Sequence, residues 1–158
     1  MRILTVQNPW AHAIIHGGKD VENRGRSLGG YRGPVAIHAG LTKADAADTP
    51  QWELLMDIWR REGDDYQLHF GAIIGVVELV AAHHVTTSSL PGKVGAPVCW
   101  DNATPTGQLC SKWAESFDDG WHLELANARP LREPILFKGA LGLRGLDEQT
   151  ITAIEAAL

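Results

Sequence analysis

The chain has no apolar run of the roughly 20 residues needed to cross a bilayer as a helix, so no membrane segment is expected in its 158 residues. The opening Met1-Arg2-Ile3-Leu4-Thr5 lacks the apolar core and small-residue cleavage site of a secretory signal. The expected location is therefore the cytoplasm. Cysteine is scarce: Cys99 and Cys110 are the only two, and they fit that location as thiols rather than as a disulfide. Cations are not in excess, since the formal net charge is -5. Charge-driven binding of a long duplex needs clustered Lys and Arg, so the balance favours a small ligand or a short strand. Internal repeats, low-complexity tracts, domain linkers, a phosphate-binding P-loop, a dinucleotide fingerprint and a recognisable Ser-His-Asp pattern are all missing.

What is present is the composition of one ordinary globular domain, 44% hydrophobic and 21% charged, long enough to bury a core. Arg2 to Val6 reads as a first strand. Asn8 then stands as an N-cap with Pro9 at the first helical position, and Trp10 and Ile14 fall on the core side of a helix stopped by Gly17-Gly18. From Asp20 the period becomes two, placing Asp20, Glu22 and Arg24 on one strand face. Gly25 to Gly33 is a glycine-rich loop, and Pro34 to His38 a short strand ended by Ala39-Gly40. Leu41 to Pro50 connects to a helix over Gln51 to Glu62 with a stripe of Trp52, Leu55, Met56 and Trp59.

Phe70 to Ala82 is the most apolar stretch and reads as a long central strand, with Gly71 and Gly75 as bends or bulges. Ser88 to Pro97 reads as a surface loop, Val98 to Asp101 as a weak strand and Leu109 to Phe117 as a short helix around Trp113. Trp121 to Ala128 alternates, with Leu123 and Leu125 on one face and His122 and Glu124 on the other. Ile135 to Phe137 and Gly142 to Arg144 are further strands. Asp147 caps a last helix carrying Ile151, Ile154 and Leu158. Short strands with glycine bends and a few short helices predict an α+β fold: a small mixed β-barrel with peripheral helices, without the strand–helix alternation of a parallel sheet.

The run Gly17-x-Lys19-x-x-Glu22-x-Arg24 resembles the G-x-K-x-x-E-x-R signature of ASCH domains, within the PUA-like superfamily. Segments 33–40 (GPVAIHAG), 71–80 (GAIIGVVELV) and 121–142 are similar to that family in order and spacing, so the resemblance covers most of the chain. It implies a PUA-like barrel with a cleft lined by the motif, and recognition of single-stranded RNA or a modified nucleoside or nucleotide. One branch of similar proteins hydrolyses acylated cytidine with a Lys, a Thr three residues later and a strand Glu. Lys19 and Glu78 match two of these, but Glu22 stands at the Thr position, so the hydroxyl is missing. Another branch is similar to single-strand ribonucleases.

The residues themselves leave alternatives open. Glu78 shares a strand face with Ile74, Val76 and Val80, where a carboxylate needs a partner. Lys19 and Arg24 are the expected ones, and the pair serves either the fold or acid–base chemistry. Lys19 either holds an oxygen, acts as a base, or is a solvated loop lysine. Glu22 and Arg24 can pair with each other; Arg24 braces the cleft or binds ligand. Arg26, Tyr31 and Arg32 have the composition that stacks and holds bases, or are scattered charges on a loop. Trp10 lines the cleft or fills the core.

His12 and His16 have metal-capable spacing but no third ligand, and His83-His84 and Cys99/Cys110 show no ligand pattern. No metal and no cofactor are expected. Three functions remain: a binding domain using Lys19, Glu22, Arg24 and Glu78; a hydrolase with Lys19, Glu22 and Glu78 as catalytic residues; or a protein-interaction domain.

Overall fold

The computed structural model describes residues 1–87, 97–101, 104–105, 108–115 and 119–158. Among them the strands are β1 (Arg2–Asn8), β2 (Val21–Arg24), β3 (Gly33–Lys43), β4 (Ala72–Thr87), β5 (Pro97–Asp101), β6 (Thr104–Pro105), β7 (Gly120–Leu136) and β8 (Leu143–Gly145). The helices are α1 (Trp10–His16), α2 (Trp52–Glu62) and α3 (Glu148–Ala157), with a 3-10 turn at Gly63–Asp65. The sheet runs β2-β7-β4-β3-β1-β8, with β5 added to β4 and β6 to β5. Among the described strands only β1 and β3 pair in parallel, and the other pairings are antiparallel. The mixed sheet curls into a half-barrel with short helices, as the α+β, PUA-like expectation required. No helix among the described residues is long and apolar enough to cross a membrane.

Period-two alternation sorts the side chains into two layers. Leu4 and Val6, Val35 and Ile37, and Leu123 and Leu125 point into the curl and pack on Ala11, Ile14 and Ile15 of α1. Ile3, Ala36, Ile73 and Val76 point outward under α3, which buries Ile154 completely. Asp147 caps α3 as expected, its carboxylate accepting the Thr150 amide at 2.7 Å. A third cluster joins Ala13 and Val21 to Leu55 and Ile58 of α2 and to the buried Trp113.

The glycine bend in β4 is real. Ile37 of β3 faces Gly75 but His38 faces Ile73, so β4 carries an extra residue there. The alternation consequently slips by one: Ile74, Val77 and Leu79 belong to the inner layer, Ile73 and Val76 to the outer. A Cβ on Gly75 would lie 2.6 Å from Ile15 Cδ1 and 2.7 Å from the Arg129 carbonyl. The slip corrects the expected face of Glu78. It sits with Val76 and Val80 as read, but not with Ile74.

Other expectations change too. Asn8 is no N-cap; its side chain donates to the His69 carbonyl at 2.6 Å, and Pro9 occupies the cap position. β3 continues through Ala39-Gly40 to Lys43 because pairing with β1 and β4 outweighs two weak strand formers. α2 buries Leu55 of the read stripe together with Ile58, which the stripe did not include, while Trp52 and Met56 are half-buried and Trp59 is 51% exposed. Residues 109–115 contain no helix, and 116–117 lie outside the described residues, as do 88–96 of the expected loop. Ile135 and Leu136 belong to the single long β7 rather than to a separate strand. His12, set aside as a metal ligand, instead meets Glu62 at 2.7 Å and ties α1 to α2.

Candidate functional site

The two glycines after α1 have separate causes. Gly17 passes so close to α2 that a Cβ would overlap Ile58 Cδ1, and Gly18 takes φ +69, a left-handed conformation that suits glycine. The chain thereby reverses, the Lys19 amide closes on the Ala13 carbonyl at 2.9 Å, and β2 starts at Val21. Lys19 is turned inward to 3% exposure and Glu22 to 7%. The Lys19 ammonium donates to the Val21 carbonyl and lies 3.4 Å from Glu22 Oε2. Arg24 Nε lies 3.2 Å from Glu22 Oε1, and its Nη2 donates to the Thr5 carbonyl at 2.7 Å. Glu22 is thus held between two cations, which offsets the desolvation of all three groups.

These residues border a cleft of about 330 Å³ between β1, α1 and β2, walled also by Trp10, Asn23 and Glu115. The Lys19 ammonium sits 5.7 Å from the Trp10 ring centroid, within cation–π range. Trp10 meets both alternatives, since it lines the cleft and packs on two core clusters. Burial lowers the Lys19 pKa, while Glu22 opposes that shift. Burial raises the Glu115 carboxyl above its ordinary range, with Lys19 opposing and Glu22 adding to the shift. A lysine and a carboxyl group moved toward each other on the pH scale are suited to exchanging a proton with a ligand.

Glu115 is the residue the sequence reading missed. It comes from the segment 108–115, some ninety residues beyond the motif, and is placed there by Asn23. The Asn23 side chain donates to the Trp113 carbonyl and accepts the Glu115 amide, both at 3.0 Å. No local pattern announces such a clamp.

The structure does not bring all expected site residues together. Glu78 is half-buried opposite Pro34 and Ala126, does not border the cleft, and makes no ion pair with Lys19 or Arg24. The bulge at Gly75 turns it to the outer face. Arg26, Tyr31 and Arg32 lie outside the cleft as well. Tyr31 is half-buried, its hydroxyl donating to the Pro34 carbonyl at 2.9 Å with the Arg2 guanidinium 4.5 Å from its ring centroid. Arg32 folds onto the Tyr31 carbonyl at 2.7 Å, and Arg26 is exposed.

No family model and no curated protein matches this chain. Solved structures do. An ASCH protein from Zymomonas mobilis superposes with a TM-score of 0.53 at 16% identity, over 98% of this chain and 93% of that one. A tyrosine-to-phenylalanine variant of that protein gives 0.54 at 15% identity, over 98% and 96%. A serine-to-alanine variant gives 0.53 at 16%, over 98% and 94%. The chain has the fold of ASCH domain proteins from end to end.

Proposed function

We propose that this ASCH-fold chain recognises single-stranded RNA or a modified nucleoside or nucleotide in the cleft bordered by Trp10, Lys19, Glu22, Arg24 and Glu115. The observation that carries the reading is a lysine only 3% exposed at the wall of a cleft of about 330 Å³, its ammonium beside an indole ring. Ligand sites start near about 300 Å³. An unstacked base is held by an aromatic face together with donors and acceptors for its edges. Trp10 offers the face, Lys19 and Arg24 the donors, Glu22 and Asn23 the acceptors. The two cations and two carboxylates of the cleft balance, which suits a base or nucleoside better than a run of phosphates. The ligand class itself rests on the motif resemblance and the fold.

A hydrolase using the same cleft is the second reading. It is favoured by the opposed displacements of the Lys19 and Glu115 pKa values. In that reading Glu115, rather than Glu78, is the acid–base partner of Lys19, with Glu22 holding the lysine.

The test mixes the wild type and a folded Lys19→Met variant with short single-stranded RNA and a panel of modified nucleosides, followed by titration calorimetry and mass spectrometry. Saturable wild-type binding that is lost in the variant supports recognition, and a product formed only by the wild type selects the hydrolase. Absence of both binding and product across the panel sinks the nucleotide reading.

A further inference from the structure

Beyond the cleft, four side chains scattered over forty residues converge. His83 on β4 and His122 on β7 are directly paired across the sheet. Cys99 comes from β5, which pairs with the end of β4, and Cys110 from the segment 108–115. One donor atom from each of these four lies within 4.8 Å of all the others. His122 Nδ1 is 3.3 Å from Cys99 Sγ and 3.3 Å from Cys110 Sγ. The two cysteines are not joined in a disulfide.

We infer that His83, Cys99, Cys110 and His122 form a structural zinc site of the Cys2His2 type. Four-coordinate zinc takes sulfur at about 2.3 Å and imidazole nitrogen at about 2.0–2.1 Å. Neighbouring ligand atoms are then roughly 3.3–3.8 Å apart at a tetrahedral centre. The sulfur-to-Nδ1 separations already meet that spacing, and the 4.8 Å envelope needs only side-chain contraction.

Each histidine is also oriented as a ligand. Glu124 Oε1 lies 2.8 Å from His83 Nδ1, which leaves Nε2 as the ligating nitrogen. That Nε2 is buried without any hydrogen-bond partner, an unmet polar atom that a metal ion would satisfy. His122 Nε2 donates to the Glu115 carbonyl at 2.8 Å, which fixes the tautomer with Nδ1 as the lone-pair nitrogen. A carboxylate on one ligand histidine and a carbonyl on the other is the outer support that metal-bound imidazoles characteristically have. The Cys110 amide donates to Cys99 Sγ at 3.2 Å, a bond that steadies a thiolate.

Two sulfurs and two nitrogens select zinc over hard cations. With all four positions filled by protein, the ion is structural, and each thiol gives up its proton to solvent on binding. The site also reaches the cleft, because Glu115 lies five residues after Cys110 and accepts from a ligand histidine through its carbonyl.

The full chain, purified without chelator or residual affinity tag, is expected to carry one zinc per chain by mass spectrometry of the metal. After chelation under reductant, Co²⁺ should give the visible bands of a tetrahedral ion and the sulfur-to-metal charge-transfer band of two thiolates, and Zn²⁺, which is d¹⁰ and colourless, should displace it and abolish them. Cys110→Ser should remove one thiolate's share of that band. Glu124→Gln, which removes only the outer support, should weaken binding about tenfold, and His83→Ala, which removes a ligand, should weaken it by more. Should the variants not fold, the charge-transfer intensity of the wild type still counts the thiolates. A reduced, folded chain that takes up neither metal overturns the inference, as does stoichiometric uptake untouched by Cys110→Ser and His83→Ala.

Discussion

Lys19 and Glu22 are three residues apart, and they meet at 3.4 Å with side chains only 2% and 9% exposed. Removing one member of a buried pair leaves the other uncompensated, at about 3–5 kcal/mol. Glu22→Gln should therefore lower stability by about 3 kcal/mol, because Lys19 can shed its proton and Arg24 keeps its Thr5 contact. Lys19→Met should cost less, since Arg24 still neutralises Glu22. In urea denaturation the double variant should be less destabilised than the sum of the two. Additivity would mean that the two charges do not interact.

The raised pKa of Glu115 ties stability to pH. The folded chain holds this proton at pH values where the unfolded chain has lost it. Its contribution is therefore full below the ordinary carboxylate pKa and is lost as pH rises through the raised folded value. Glu115→Gln cannot titrate. The variant should match the wild type near about pH 4 and become the more stable of the two toward neutrality. Urea midpoints measured at several pH values check this, and parallel curves would refute it.

Asn23 joins the motif strand to the segment that supplies Glu115. Asn23→Ala breaks both 3.0 Å bonds and strands a carbonyl and an amide, for a loss of about 1–3 kcal/mol. Because Glu115 is then no longer held at the cleft, ligand affinity should fall as well, and the pH slope due to Glu115 should flatten. Stability loss with unchanged affinity would show that Glu115 does not take part in binding.

Gly75→Ala tests the bulge. The new methyl would meet Ile15 Cδ1 at 2.6 Å and the Arg129 carbonyl at 2.7 Å, and the second contact is backbone that cannot rotate away. A loss of about 1–3 kcal/mol is expected, and Ile15→Val should not restore it. Gly25→Ala, with nothing within 4 Å of the added Cβ, is the matched control and should be near neutral in thermal unfolding.

The legible parts of this protein were those whose cause lies within a few residues. The helix stop at Gly17-Gly18, the Glu22–Arg24 pairing on β2, the alternation of Leu123 and Leu125, and the Asp147 cap each follow from period, propensity or a short hydrogen bond. All stand in the structure. The motif was readable for the same reason, because Lys19, Glu22 and Arg24 need only a glycine reversal and one short strand to come together.

Tertiary structure decided the rest. One extra residue at Gly75 shifts the parity of everything after it, so Glu78 leaves the cleft without any change in its local sequence. The face α2 buries is chosen by the core that its neighbours build, which is why Ile58 is inside and Trp59 outside. Glu115 borders the same cleft as Lys19 only because Asn23 of β2 holds its segment there, and His83 meets Cys99 and His122 only because antiparallel pairing of β4 with β7 and of β5 with β4 brings distant segments alongside. Residues brought together by pairing carry no fixed spacing in sequence. The sequence by itself determined the local elements and the charged turn, and only the curled sheet decided which carboxylate faces that turn and which cysteines meet which histidines.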